Sequence, residues 1–455
     1  MSNRNLSYGI DFGTTNSSVS FLDRSGELRV LPIDAKAVNP TIVRSVIYLS
    51  PKRKFYFGGR AIAKYLEEIG KGKPWETEMV FTGKYLEVTK PFGMGGYRGE
   101  EMVPEIIEVE VNPGGRLFQS LKTALSLRTI SSFKVFDKKY LLEDLIGSFF
   151  KYLKDSADSL MGEEINRVVI GRPVHFIGED DDLAQDRLMK SAKIAGFGEI
   201  KFELEPIGAA WEYGFKAKKK KQIILVFDFG GGTLDFSVVS FPEREILANY
   251  GLSIGGDLFN SEIFSAKLAR YFGSNAKYGE LELPFPGWIY KRLKGWYQIS
   301  LLKTKKFMNT LEFLRYRCSD IKAIEALRSL VVYNLGFALY EEIDRVKREL
   351  SYKNEEVLVF EKEKIDIHEI LARSSFEKII ADFLDDVSKG IDEVIDKAGL
   401  NIDEIDYLIT TGGSSLIPAV ELMLVGKFGK DKIKSRDYFT SVATGLALRA
   451  SELFK

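Results

Sequence analysis

One pattern occurs twice in this chain, nearly half its length apart, and it constrains the fold more than any other feature. Near the start stands Tyr8-Gly9-Ile10-Asp11-Phe12-Gly13-Thr14-Thr15-Asn16-Ser17-Ser18-Val19-Ser20-Phe21. Near the middle stands Ile224-Leu225-Val226-Phe227-Asp228-Phe229-Gly230-Gly231-Gly232-Thr233-Leu234-Asp235-Phe236-Ser237-Val238-Val239. Each is an apolar run, then Asp-Phe-Gly, then small and hydroxyl residues, then a second apolar run. That order reads as strand, tight loop, strand. Two similar lobes, each opening with the same hairpin, is the economical account.

Further strands and helices follow each hairpin. Val168–Gly171 reads as a buried strand, Asp186–Gly196 as an amphipathic helix ending at glycine, Ile200–Leu204 as a strand, and Pro206–Tyr213 as a helix. In the second half, Tyr407–Thr411 is a strand running into Gly412-Gly413, and Val442–Leu453 is a closing helix. Alternating strands and helices indicate α/β lobes. The expected division is residues 1–218, with an insertion at about 41–116 read as a small mixed sheet, and 219–455, with a mainly helical insertion at about 260–350 broken near Leu283–Gly287. Lys218–Lys221 is read as a solvated loop between the lobes, and Glu179–Asp182 as an acidic approach to a helix N-terminus.

Composition narrows the chemistry. Lys plus Arg and Asp plus Glu are equal at 65 each in 455 residues, which argues against a dedicated nucleic-acid binder. One cysteine, Cys318, excludes an intrachain disulfide and suits a reducing compartment, and two histidines leave too few ligands for a His/Cys zinc site. Any metal is therefore expected to be a hard cation such as Mg²⁺ on carboxylates and phosphates. The N-terminus lacks a signal-peptide pattern and no apolar run is long enough to span a bilayer, so the expected location is cytoplasmic, with no membrane partner.

A phosphate chain needs backbone N–H donors that it can approach closely, which glycine and small hydroxyl residues permit. Gly13-Thr14-Thr15-Asn16 and Gly230-Gly231-Gly232-Thr233 are such loops, each preceded by an aspartate at a strand end. One such loop is an ordinary hairpin turn. Two, facing each other across a cleft, would let Asp11 and Asp228 hold one metal–phosphate unit between them.

With these residues in view, the chain resembles the nucleotide-binding part of the DnaK-type heat-shock-70 chaperones, within the actin-like ATPase superfamily of ribonuclease H-like fold. Five ordered motifs carry the resemblance over nearly the whole chain: IDFGTTNSSV (10–19), VVIGRPVHF (168–176), EPIGAAWEYG (205–214), FDFGGGTLDFSVV (227–239) and TTGGSSLIPAV (410–420). In detail it resembles the short YegD-like homologues, which stop after the ATPase lobes. The resemblance implies ATP or ADP with Mg²⁺ as ligand. It implies Asp11 and Asp228 on the metal side, and Thr14, Thr15 and Thr233 with Gly230 to Gly232 on the phosphates. Glu205 and Asp235 would be the cleft carboxylates that position or deprotonate water, and Lys122 the catalytic lysine on a helix of the first lobe. It also implies Gly255-Gly256-Asp257 at the cleft, Lys347, Arg348 and Ser351 on a purine-clamping helix with Asp344, and Gly412, Gly413 and Ser414 at a turn beside the nucleotide.

The chain departs from the family pattern at two adenosine-side positions, where Leu416 replaces an arginine and Phe439 an aspartate. No leucine-rich linker or β-rich peptide-binding domain follows the closing helix, so peptide clamping is not expected. The leading expectation is a slow, Mg-dependent ATPase acting as a nucleotide switch on a protein client or co-chaperone. A small-molecule kinase of the sugar type and an actin-like filament protein are the alternatives on the same fold. The sequence leaves the oligomeric state open.

Overall fold

The computed structural model describes residues 6–71, 77–89, 100–110, 115–176, 180–216, 221–300, 302–435 and 440–454. Its frame is two mixed sheets of the same plan. In the first, β1 (Tyr8–Phe12), β2 (Asn16–Leu22) and β3 (Leu28–Val30) form an antiparallel meander, while β4 (Arg167–Arg172) and β5 (Glu199–Leu204) run parallel to β1 on its other side. In the second, β6 (Gln222–Phe229), β7 (Leu234–Phe241) and β8 (Glu245–Leu252) form the meander, and β9 (Tyr407–Thr411) and β10 (Ile433–Ser435) are the parallel strands. The two orders, β5-β4-β1-β2-β3 and β10-β9-β6-β7-β8, are equivalent, so the sequence echo is a structural repeat.

Parallel strands need crossover segments. In the first half these include α1 (Leu142–Met161) and α2 (Asp181–Ile194). Asp180 caps α2 by accepting from the Leu183 N–H at 2.9 Å, Asp181 and Asp182 favour its positive end, and Gly196 at φ +94° closes the exit. The helix thus begins five residues before the expected Asp186, because the acidic run is its cap and first turn. Glu179 and Lys218–Lys220 lie outside the described residues, as does the 218/219 boundary itself.

Two helices tie the sheets together by crossing over. α3 (Glu205–Lys216) leaves β5 of the first sheet yet packs against β6 and β7 of the second. In the second half, α4 (Gly336–Glu349) belongs to the helical insertion and α5 (Arg373–Lys397) precedes β9. α6 (Ser441–Leu453) follows the second sheet and returns to lie on β1, β2 and β4 of the first. Ile207, Ala210 and Trp211 of α3 share one apolar cluster with Val226 and Ile409 of the second sheet and with Leu446 and Ala450 of α6. Where the helices cross, a Cβ on Gly445 would strike the Gly208 carbonyl, so backbone meets backbone.

The 41–116 insertion is more than a sheet. Val46–Leu49 pairs antiparallel with Phe55–Phe57 and Arg116–Gln119, Thr77–Thr89 pairs with Glu100–Glu110, and a 14-residue helix spans Gly58–Lys71. The helix escaped the sequence reading because two glycines open it. Its start is stabilised from 25 residues away, where Asp34 accepts from the Gly59 N–H at 2.8 Å. Ala61, Ile62 and Tyr65 bury its apolar stripe. Residues 260–350 are mainly helical, and the Pro-Phe-Pro break begins within a two-residue strand pair, Lys277–Tyr278 with Leu283–Pro284.

Candidate functional site

The two glycine loops meet where the sheets face each other. In β1–β2 the last pair is Phe12↔Ser17, leaving a short turn from Gly13; in β6–β7 it is Phe229↔Leu234, leaving Gly230–Thr233. Asp11 is the penultimate residue of β1, and Asp228 on β6 pairs directly across from Asp235 on β7. A Cβ on Gly231 would lie 3.1 Å from Thr15 Oγ1, and one on Gly232 would lie 3.6 Å from Thr14 Cγ2. The loops are therefore nearly in contact across the cleft.

Lys122 is not on a helix of the expected kind. Arg116–Gln119 is a strand, and Lys122 stands on a single 3₁₀ turn, Leu121–Ala124, entered through Ser120 at φ 56°. The apolar residues Leu117, Phe118 and Leu121 mimic a helical stripe, but the alternation belongs to a strand and a turn. The turn aims Lys122 inward, where its Nζ meets Glu205 Oε1 at 2.6 Å. Glu205 opens α3, so both partners are fixed by elements that end at the cleft.

Five ionisable groups converge here, and burial dominates their chemistry. Burial pushes the Asp11 carboxyl up to about 8, helped by Glu205 and Asp228 and opposed by Lys122. Burial likewise pushes Asp228 up to about 7, reinforced by Asp235 and Glu205. Asp235 opens onto the cleft, yet enough protein surrounds it that desolvation raises it to about 6, against a 3.0 Å hydrogen bond from Thr233 and the pull of Lys122. Burial alone would depress Lys122, but Glu205 and Asp11 outweigh it and raise the ammonium above its ordinary range. Four carboxylates around one cation are an excess of negative charge that a divalent cation would neutralise. Glu205, Asp228 and Asp235 line an open cleft walled also by Pro173, His175, Asn249 and Tyr250.

The neighbouring turns build outward from the second loop. The N–H groups of Gly256 and Asp257 donate to the carbonyls of Gly230 and Gly231 at 3.2 and 2.8 Å, and Gly255 approaches so closely that a Cβ would strike the Gly231 carbonyl. Ser414 Oγ donates to Gly230 O at 2.8 Å, and Lys347 Nζ donates to Gly256 O at 2.9 Å while pairing with Asp344 at 3.0 Å. Gly412 adopts φ +79° with the Phe229 carbonyl pressed against it, and Gly413 continues the turn. Asn16 lies in β2, opposite Arg44.

Not every expected residue joins this cluster. Arg348 is exposed and pairs with Asp344 at 3.1 Å. α4 ends at Glu349, so Ser351 sits in the following turn, not on the same helix face. Among the described residues no hydrogen bond or ion pair joins either one to the glycine loops. Leu416 is half-buried on the turn after Gly413, and Phe439 lies outside the described residues. Sequence reasoning missed Ser45, which clamps the first loop by donating its hydroxyl to Gly13 O and its N–H to Thr15 O, both at 2.8 Å. It also missed Thr411, which donates to Asp228 Oδ1 at 3.5 Å although it immediately precedes the Gly412-Gly413 turn.

Paired sheets of one plan, two crossing helices and facing glycine loops define the actin-like ATPase fold. A model of the Hsp70 protein family matches residues 120–279 and 330–454, and the chain belongs to that family. It is 26% identical over 453 residues to the chaperone protein dnaK of Cyanidioschyzon merolae, covering 98% of this chain and 61% of that protein. It is 24% identical over 455 residues to the chaperone protein DnaK of Thermosipho melanesiensis, covering 98% and 59%. Against the chaperone protein DnaK of Mycoplasmopsis synoviae it is 25% identical over 368 residues, covering 80% and 53%. The chain thus spans 53–61% of the length of these relatives. Among the described residues no helix is long and apolar enough to cross a membrane.

Proposed function

We propose that this chain is a slow, Mg²⁺-dependent ATPase whose two lobes close on nucleotide and report its state to a protein partner, in the manner of a chaperone switch. The observation that supports it best is the convergence of Asp11, Lys122, Glu205, Asp228 and Asp235 beside two glycine loops from opposite sheets. The residues fit the ligand: hard oxygen donors sit where a cation is wanted, and the loops are cradles that side chains would fill. Bound Mg²⁺ would supply neutralising charge to the phosphates.

The chain's own residues do the rest. Asp11 and Asp228 would hold the cation as carboxylates, its charge offsetting the burial that otherwise favours their protonated forms. The backbone of Gly230 to Gly232, with Thr14, Thr15 and Thr233, binds the phosphates. Lys122, braced by Glu205, places a fixed positive charge at the reacting end. Asp235 and Glu205 orient water and accept its proton. Lys347 braces the Gly255–Asp257 turn and Ser414 the Gly230 loop, toward the nucleoside side. Because α3 and α6 each grip the opposite sheet, a change in cleft closure must turn one sheet against the other, which a partner can read.

Titration calorimetry of ATP and ADP with and without Mg²⁺, with phosphate release followed in parallel, tests this. Mg-dependent binding and slow turnover, both lost in an Asp11→Asn, Asp228→Asn variant, are expected. Absence of nucleotide binding by the intact chain sinks the reading.

A further inference from the structure

Lys122 is the least secured part of the site by regular structure. Its turn is one 3₁₀ loop between a four-residue strand and an irregular stretch: Leu121 and Ala124 anchor it in the core, but among the described residues no ladder or α-helix runs through Lys122 itself. Short 3₁₀ turns have poorer hydrogen-bond geometry than α-helices and serve as connectors whose position is set by what packs around them. Yet its ammonium must stay within hydrogen-bond reach of a carboxylate that belongs to another element.

One side chain compensates. Arg187 projects from α2 and is 4% exposed. Its Nη1 donates to the carbonyls of Ala124, Leu125 and Leu127 at 3.2, 2.8 and 3.1 Å, the backbone that leaves the Lys122 turn. Its Nε faces Glu143 Oε1 at the head of α1, 3.8 Å away, which balances the buried charge. Ser191, one helical turn further along α2, has one hydroxyl proton to share between Arg187 O at 2.8 Å and Glu143 O at 3.3 Å, so the two helices lie in close contact at this point. A guanidinium is suited to this work because its donors form a rigid planar fork and its charge persists when buried.

We propose that Arg187 is a positioning residue for Lys122, pinning the turn to the α1–α2 pair so that the ammonium is held at Glu205. Arg187 touches none of the reacting groups and acts through the three carbonyls. The inference rests on the reading of Lys122 as the cation at the reacting end.

The test is a double-mutant cycle on the full chain with ATP turnover as readout. Arg187→Met, which keeps the bulk and removes every donor, is expected to lower kcat about tenfold or more while leaving KM for ATP within about threefold, because ground-state binding rests on other residues. Arg187→Lys, which keeps the charge and part of the donor set, is expected to recover most of kcat. In a Lys122→Ala background, Arg187→Met should change kcat by less than about twofold. Equal losses in both backgrounds would show general damage to the lobe and overturn the proposal. Hydrogen exchange on the same proteins separates the pin from the chemistry. The amides of 121–127 should exchange faster in Arg187→Met while those of β1 and α6 do not change, and unaltered exchange at 121–127 would overturn the proposal whatever the rate. Should Lys122→Ala turn over ATP normally, the reading of Lys122 fails by itself, and the exchange measurement still decides the pin.

Discussion

Replacing Gly445 with alanine puts a methyl group where α6 crosses α3. A Cβ there would overlap the Gly208 carbonyl oxygen and lie 2.6 Å from its carbon and 3.0 Å from its Cα, so the helices must part by roughly an ångström to restore ordinary contact. Neither helix has room to retreat, since α3 is backed by the second sheet and α6 by the first. Overpacking of a closed core costs about 1–3 kcal/mol. Alanine's better helix propensity returns about 0.5–1 kcal/mol, leaving a net loss of up to about 2.5 kcal/mol. Each kcal/mol lost lowers Tm by roughly 2–4 °C for a lobe of about 200 residues. Gly426 is the control: it also lies in a helix, Pro418–Phe428, and a Cβ there meets nothing within 4 Å. Gly426→Ala should leave Tm unchanged or raise it. Thermal unfolding followed by circular dichroism decides between them. If Gly445→Ala is as stable as Gly426→Ala, the crossing is loose, and the argument that the helices couple the lobes loses its footing.

Other outcomes follow from the site. Lys122→Met should cut phosphate release about 10²–10³-fold with nucleotide affinity nearly kept, as expected for loss of one preorganised charge at the reacting end; steady-state kinetics and calorimetry together check it. The Asp228 carboxyl is raised to about 7 in the folded chain, against an ordinary value near 4 when unfolded. The folded state therefore holds a proton that the unfolded chain has lost across that window, and stability falls as pH rises through it. Asp228→Asn removes this penalty, so the Tm of the metal-free variant minus that of the parent should grow between pH 5 and pH 8, and a flat difference would refute the burial argument. Gly412→Ala forces a side chain into φ +79° against the Phe229 carbonyl and should cost more than about 1 kcal/mol, seen as a lowered Tm together with weakened nucleotide binding, since Ser414 follows on the same turn.

Much of the site was legible because its requirements are local. Asp-Phe-Gly followed by small residues demands a tight turn with a carboxylate at its mouth, and both copies of it can be read by eye. Gly255-Gly256-Asp257 and Gly412-Gly413-Ser414 were expected only through the family resemblance, because the backbones that Gly255 and Gly412 approach, at Gly231 and Phe229, lie far away in the chain. The helix at Gly58–Lys71 was not, since its start depends on Asp34 of a distant loop. The Lys122 segment misled because a short strand and a turn can carry apolar residues at helix-like spacing.

The sequence by itself determined the duplication, the two glycine loops and the aspartate at the mouth of each, because each follows from residue type and spacing along a few positions of chain. Only the tertiary structure decided that Lys122 meets Glu205, 83 residues away, and that Arg187 holds the turn behind it. It alone showed that α3 and α6 exchange sheets at Gly208 and Gly445, and that Arg348 and Ser351 stand apart from the loops. These are contacts between elements whose partners are set by how sheets and helices pack, and local propensity carries no record of which surfaces will meet.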